Sequence, residues 1–375
     1  MKILWPRSIP AVAAGLLATI AVTAAAAGAA NGSVGAVYTL TNSAGGNEVL
    51  VFQRGADGTL GAPVGVRTGG LGSGSAGSLG SQGALTLSSD DRWLYAVNAG
   101  SNEISAFAVG KDGLSLVSKV PSGGVAPISV TAASGLVYVL NAGDAHNAGT
   151  ISGFRVDAHG VLTPIAGSTR PLSGASVGPA QIQFTPNGHV LVVTEKATSS
   201  IDTYVVGADG VAAGPDVQPS AAQTPFGFAF DPSGRLIVSD AVGSAPGGSG
   251  LSSYGVSDVG ALTTITPFAP DTQTAACWVV TTRDGRFAYT TNTGSASVSS
   301  YTIGHSGALS LLNAVAGATG AGPIDAALDR DSRFLYTLDS GAHTVSGFAI
   351  GGDGSLVPIA GATGLPTSAV GLAAR

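Results

Sequence analysis

Asp91-Arg92-Trp93-Leu94-Tyr95-Ala96-Val97-Asn98, followed by Ala99-Gly100-Ser101-Asn102-Glu103-Ile104-Ser105-Ala106-Phe107, is the stretch on which the reading of this chain turns. Two short apolar runs rich in aromatic and β-branched residues flank an Asn/Gly/Ser turn, which is the signature of an antiparallel hairpin. Close relatives of it occupy residues 284–301 and 331–348, and looser ones occur elsewhere. Aligning the aromatic that ends each hairpin gives Phe52, Phe107, Phe154, Tyr204, Tyr254, Tyr301 and Phe348, spaced 47 to 55 residues apart. That period suits the blades of a propeller and is too long for ankyrin or tetratricopeptide units.

Each unit reads as four strands. In the last one an inner strand begins at Pro323, a turn through Asp331 and Ser332 leads to Phe334-Leu335-Tyr336, and a turn at Asp339-Ser340-Gly341 leads to Phe348. Asp353-Gly354 then turns into an outer strand. Asp-Gly pairs are what tight antiparallel turns require, because some turn positions need positive φ. The first unit starts at Ala36-Val37-Tyr38 without an inner strand of its own, while residues 364–372 repeat the pattern of Gly322-Pro323-Ile324-Asp325. The expected fold is therefore all-β: a seven-bladed propeller of four-stranded antiparallel blades, closed when the C-terminal strand completes blade one.

Composition agrees with short strands and tight turns. The 375 residues include 57 Gly, and only 10% are charged. Residues 1–30 carry Lys2 and Arg7 before an uncharged, alanine-rich run, the pattern of a secretory signal peptide, which leaves 31–375 as the propeller. Removing that segment takes the formal charge from −6 to −8. With no basic run, a nucleic-acid partner is not expected. No later segment is apolar enough to span a membrane. The reading is a secreted or periplasmic monomer, and the lone Cys277 allows no internal disulfide.

The order of these features resembles the lactonase family of seven-bladed propellers, typified by bacterial 6-phosphogluconolactonase and carboxymuconate-lactonising relatives. The resemblance spans residues 35–375 and is carried by Asp284-Gly285-Arg286-Phe287-Ala288-Tyr289-Thr290-Thr291-Asn292, by Gly178-Pro179, and by the Asp-Gly-x-Leu outer turns. It is also similar to exported propellers of the Tyr-Val-Thr-Asn repeat type. The resemblance implies a lactone hydrolase that uses a histidine at the start of a middle inner strand, with arginines to hold an anion. In this chain the matching stretches read Gly178-Pro179-Ala180-Gln181-Ile182-Gln183-Phe184, Thr291-Asn292-Thr293 and Pro323-Ile324-Asp325, so those positions hold neither group.

One polar residue per blade ends the second strand: Asn42, Asn98, Asn141, Glu195, Asp240, Asn292 and Asp339. Hard oxygen ligands suit Ca²⁺ or Mg²⁺, but repetition in every blade favours a turn role, in which Asn and Asp bond their own backbone. Function is sought where one blade departs from the others. Glu195-Lys196 is such a departure, and Asp144-Ala145-His146-Asn147 places an imidazole beside a carboxylate near the channel mouth. Gln181, Trp278 and Asp325 occupy equivalent inner-strand positions and, if they face the channel, offer an amide, an indole and a carboxylate. The candidate ligand-binding set is Gln181, Glu195, Lys196, Trp278, Asp325 and His146, with Glu195 and His146 as the catalytic candidates.

Most arginines, including Arg92, Arg235, Arg286 and Arg333, fall in the turn between first and second strands, leaving Lys196, Arg170 and Arg67 to approach the mouth. The Gly/Ser stretches 69–83 and 243–250 join no strand to a helix, so they read as mobile surface loops. With no Cys/His metal spacing and no nucleophile elbow, no metal or cofactor is expected. The expected function is a noncatalytic propeller that binds a small polar ligand, a glycan or a protein at its mouth. The alternative is a lactone hydrolase with a rewired site.

Overall fold

A computed structural model of the chain describes residues 33–75, 79–111 and 113–375; the segment read as a signal peptide lies outside them. Seven antiparallel sheets follow one another along the chain, each with its strands side by side in sequence order. The exception is blade one, where Val370–Ala374 pairs with Gly35–Leu40 and supplies the innermost strand, as the sequence predicts. Blade three splits its outer strand into Leu162–Pro164 and Arg170–Pro171. Among the described residues, no helix is long and apolar enough to cross a membrane.

The seven aligned aromatics are the core. All of them, from Phe52 to Phe348, are buried, and each contributes about 2 kcal/mol by leaving water. A second set of aromatics fixes blade to blade. The hydroxyls of Tyr138, Tyr289 and Tyr336 donate to Gly210 O at 2.7 Å, Gly354 O at 3.0 Å and Gly58 O at 2.6 Å. Each acceptor is the glycine of the next blade's Asp-Gly outer turn, so the turn motif is also a docking point. The last of these three bonds runs from blade seven to blade one.

Arg54 reinforces that seam. Its guanidinium lies 3.5 Å from the Asp329 carboxylate, with both side chains buried. Its Nε and Nη2 donate to Arg375 O at 3.2 and 3.1 Å, and it stacks over the Phe334 ring. A buried charge pair persists only when its remaining donors are also satisfied, and here those donors hold the closing strand.

On one face, the loop after each second strand packs on the loop entering the inner strand. Lys196 N–H donates to Gly178 O at 3.0 Å, Ala241 N–H to Thr224 O at 3.0 Å, and Thr293 N–H to Ala275 O at 2.9 Å. The accepting residue has positive φ in each case, 63° at Gly178, 57° at Thr224 and 59° at Ala275. This is the mouth face. The turns between first and second strands, with their arginines, lie on the opposite face.

Candidate functional site

The mouth of the central channel is closed by the chain itself. Residues 79–83 lead into the inner strand of blade two, yet their bonds reach across the axis. Gln82 N–H donates to Ala180 O of blade four at 3.1 Å, and its Nε2 donates to Val279 O of blade six at 3.2 Å. Ser81 Oγ donates to Ile128 O of blade three at 2.8 Å, and Trp278 Nε1 donates to Ser81 O at 3.0 Å. Room for the plug comes from Gly227 in blade five, where a Cβ would lie 2.2 Å from Gln82 Oε1. The surface-loop reading is therefore corrected for residues 79–83, while Gly69, Leu71 and Ser73 to Ser75 are exposed. Ser81 and Gln82 are buried, and Gly72 and Gly74 donate backbone bonds to Ser43 O and Asn42 O of blade one.

Lys196 belongs to this plug. Its ammonium donates to Gly80 O and sits 4.4 Å from the centroid of the Phe226 ring. Burial pulls its pKa down to about 8. The Phe226 ring in turn packs 5.1 Å from Trp278. Neither of the other two expected cations joins it: Arg67 pairs with Glu48 on an outer strand, and Arg170 bonds Gly167 O and Thr169 O of its own loop. Cys277 is a packed thiol, its pKa pushed up to about 11 by burial.

The inner-strand candidates are staples between blades. Gln181 accepts from Phe228 N–H at 2.7 Å and donates to Phe228 O at 2.8 Å. Asp325 accepts from Leu372 N–H at 3.1 Å and from its own neighbour Ala326 N–H at 2.8 Å. Ser129 plays the same part for Ile182 N–H at 3.2 Å. Where blade five offers only Gly227, Gln82 of the plug bonds the adjacent strand instead. Gln181 and Asp325 do line the channel, whereas Trp278 is spent on the plug.

Below the plug, a cavity of about 670 Å³ runs toward the inner-turn face, where Ser89, Ser134 and Pro186 line it and are exposed. Asp325 is its one ionisable lining residue among the described residues. Burial holds that carboxyl well above the usual carboxylate range, against the two backbone N–H groups that its oxygens accept.

Glu195 and His146 are not brought together. Glu195 is fully buried inside blade four, where its carboxylate takes Ser173 N–H at 3.0 Å, Ser173 Oγ, and Thr198 Oγ1 at 2.8 Å. Beside it lies Asp202, pushed up to about 8 by burial and by the Glu195 charge. His146 stands on an exposed loop, where the Asp144 carboxylate is occupied by the backbone N–H groups of His146 and Asn147, each at 2.8 Å. The ring of Asn and Asp residues is buried in every blade. Its partners in four blades are side-chain hydroxyls of the third strand, not the residue's own backbone as expected. Asn98 Nδ2 donates to Ser105 Oγ at 2.8 Å, Asn141 Nδ2 to Ser152 Oγ at 3.4 Å, and Asn292 Nδ2 to Ser299 Oγ at 2.8 Å, while Asp339 accepts from Ser346 Oγ at 2.5 Å. Among the described residues no cluster of His, Cys, Asp and Glu could hold a metal ion.

Fold and tunnel define a class: a seven-bladed propeller, closed by its own C-terminal strand, with an axial cavity lined almost wholly by neutral residues. Residues 46–170 and 240–364, more than half of the chain, match the family model described as "Lactonase, 7-bladed beta-propeller". The chain belongs to that lactonase family. A Lactobacillus plantarum protein superposes with a TM-score of 0.71 at 19% identity, over 91% of this chain and 99% of its own. A proposed 6-phosphogluconolactonase of Bacteroides fragilis gives 0.69 at 19% identity, over 92% and 99%. The periplasmic gluconolactonase of Pseudomonas aeruginosa gives 0.65 at 18% identity, over 89% and 98%. At such identities the likeness is one of fold. No curated protein matches the chain significantly.

Proposed function

We propose that this lactonase-family propeller is an exported binding protein that takes up a small polar ligand without hydrolysing it. The observation that carries the reading is the chemistry of the cavity wall. Opening a lactone needs a base to activate water and a positive or hydrogen-bonding site for the developing oxyanion. Hydrogen-bond donors are present, but among the described residues the only base the wall offers is Asp325, whose two oxygens already take Ala326 and Leu372 N–H groups. Export rests on the pattern of residues 1–30 and is supported by the likeness to a periplasmic neighbour.

The test is hydrolysis of a panel of aldonolactones and muconolactone by the purified protein, with thermal shift read on the same samples. The expected result is a raised melting temperature with at least one small polar compound and no hydrolysis above background. Hydrolysis that is lost in Asp325→Asn or Glu195→Gln would establish a rewired lactonase in its place.

A further inference from the structure

The cavity has two unlike walls. One layer below the Gln181 staple, blades two to four present Thr86, Thr131 and Gln183, while blades five, six, seven and one present Ala229, Val280, Ala327 and Ala373. All of these residues line the same tunnel, so a hydroxyl and amide wall faces an aliphatic one. The polar wall also keeps hydrogen-bonding capacity in hand. Gln183 Oε1 accepts from Gln181 Nε2 at 3.1 Å, but its own amide nitrogen donates to no protein group among the described residues. Thr131 Oγ1 accepts from Phe184 N–H at 3.2 Å and retains its proton for a further acceptor. Thr86 Oγ1 gives its proton to Val130 O at 2.8 Å and retains lone pairs.

We infer that the tunnel takes a neutral sugar, entering from the inner-turn face, with its hydroxyl edge on Thr86, Thr131 and Gln183 and its C–H face on Ala229, Val280 and Ala327. This inference rests on the binding reading above and gives it a ligand class and an entrance. A sugar ring has the two unlike surfaces that the two walls complement. Among the described residues no Arg, Lys or His lines the tunnel, which disfavours sugar acids and phosphosugars, because an anion brought into it would be desolvated without a cationic partner. The volume of about 670 Å³ falls within the usual range for small-molecule sites. The route is set by the plug, since residues 79–83 close the mouth and the opposite end is open.

The experiment uses the full chain and saturation-transfer difference NMR with glucose, galactose, mannose and arabinose, each against gluconate and glucuronate. Calorimetry then measures affinity for whichever sugar binds. The expected result is binding of at least one neutral sugar and of neither acid. Gln183→Leu should weaken it about tenfold, the loss of one good hydrogen bond. Ala229→Leu, which fills the tunnel from the opposite wall without touching a hydrogen bond, serves as the second variant and should abolish binding while the fold still melts cooperatively. Preference for the acids, indifference to both variants, or no sugar bound at all would each overturn the inference. Lactone hydrolysis would instead overturn the binding reading, so the two failures are distinct.

Discussion

The second and sixth blades close the end of their second strand with an amide, and the fourth closes it with a pair of carboxyls. In the first two, Asn98 and Asn292 each reach a buried serine on the third strand, Ser105 and Ser299. In the fourth, Glu195 stands at the asparagine position and Asp202 at the serine position. The slot is the same and equally dry in all three. An amide and a hydroxyl fill it at no electrostatic cost, whereas two carboxyls this close cannot both ionise. The proton that Asp202 keeps is the price of the substitution, and the three donors on Glu195 are what make it tolerable.

Several changes would break or sharpen this contrast, beginning with the most drastic. Deleting residues 366–375 removes the inner strand of blade one and should abolish the cooperative melting transition followed by circular dichroism, because the ring then opens and blade seven loses its partner across the seam. A truncated chain that melted like the full one would mean the blades are independent and the comparison is between separate units. Glu195→Ala leaves Ser173 and Thr198 without their buried acceptor and should cost about 2–4 kcal/mol in urea unfolding. Asn292→Ala, which empties the neutral slot of blade six, should cost about 1–2 kcal/mol by the same measurement.

The pH dependence reaches the carboxyl pair by difference, since burial also raises Asp240, Asp271, Asp325 and Asp339. Asp202 is raised from the ordinary 3.8 to about 8, chiefly by burial and then by the Glu195 charge. The stability that its neutral form supplies is complete below the ordinary value and is lost as pH rises through about 8. Unfolding free energy should therefore fall between pH 4 and 8, beyond what the surface ion pairs account for. The double variant Glu195→Asn with Asp202→Ser, which rebuilds the slot of blade six, should make that slope shallower. An unchanged slope would place the buried proton elsewhere. Lys196→Met, next along the chain, should shift stability by about 1 kcal/mol or less, since its bond to Gly80 O is offset by the cost of burying an ammonium.

The repeat was legible because propeller blades write themselves into sequence as period, turn and aromatic. Phe52, Phe107 and their five counterparts are buried where the alignment puts them, and the strand that completes blade one was visible in the likeness of 364–372 to Gly322-Pro323-Ile324-Asp325. The tunnel was much less legible. Residues 79–83 look like linker in a string of Gly and Ser, and nothing local says that they turn inward to bond blades three, four and six. A signal did exist in Gly227, the inner-strand position without a side chain, which leaves the space that Gln82 fills. Likewise Asp202 stands where five blades carry serine, at Ser105, Ser152, Ser252, Ser299 and Ser346. Reading the third strand beside the second would have paired it with Glu195. Gln181 and Asp325 were found as polar positions of the inner strand, but their bonds to Phe228 and Leu372 depend on the neighbouring blade, which no single repeat contains.

The seam held by Arg54 also has a consequence in time. Blade one cannot be finished until residue 374 has left the ribosome, and Tyr336 cannot find Gly58 until blade one stands beside blade seven. Through nearly all of its synthesis the polypeptide lacks the strand that joins its two ends. The ring locks only when its last strand arrives.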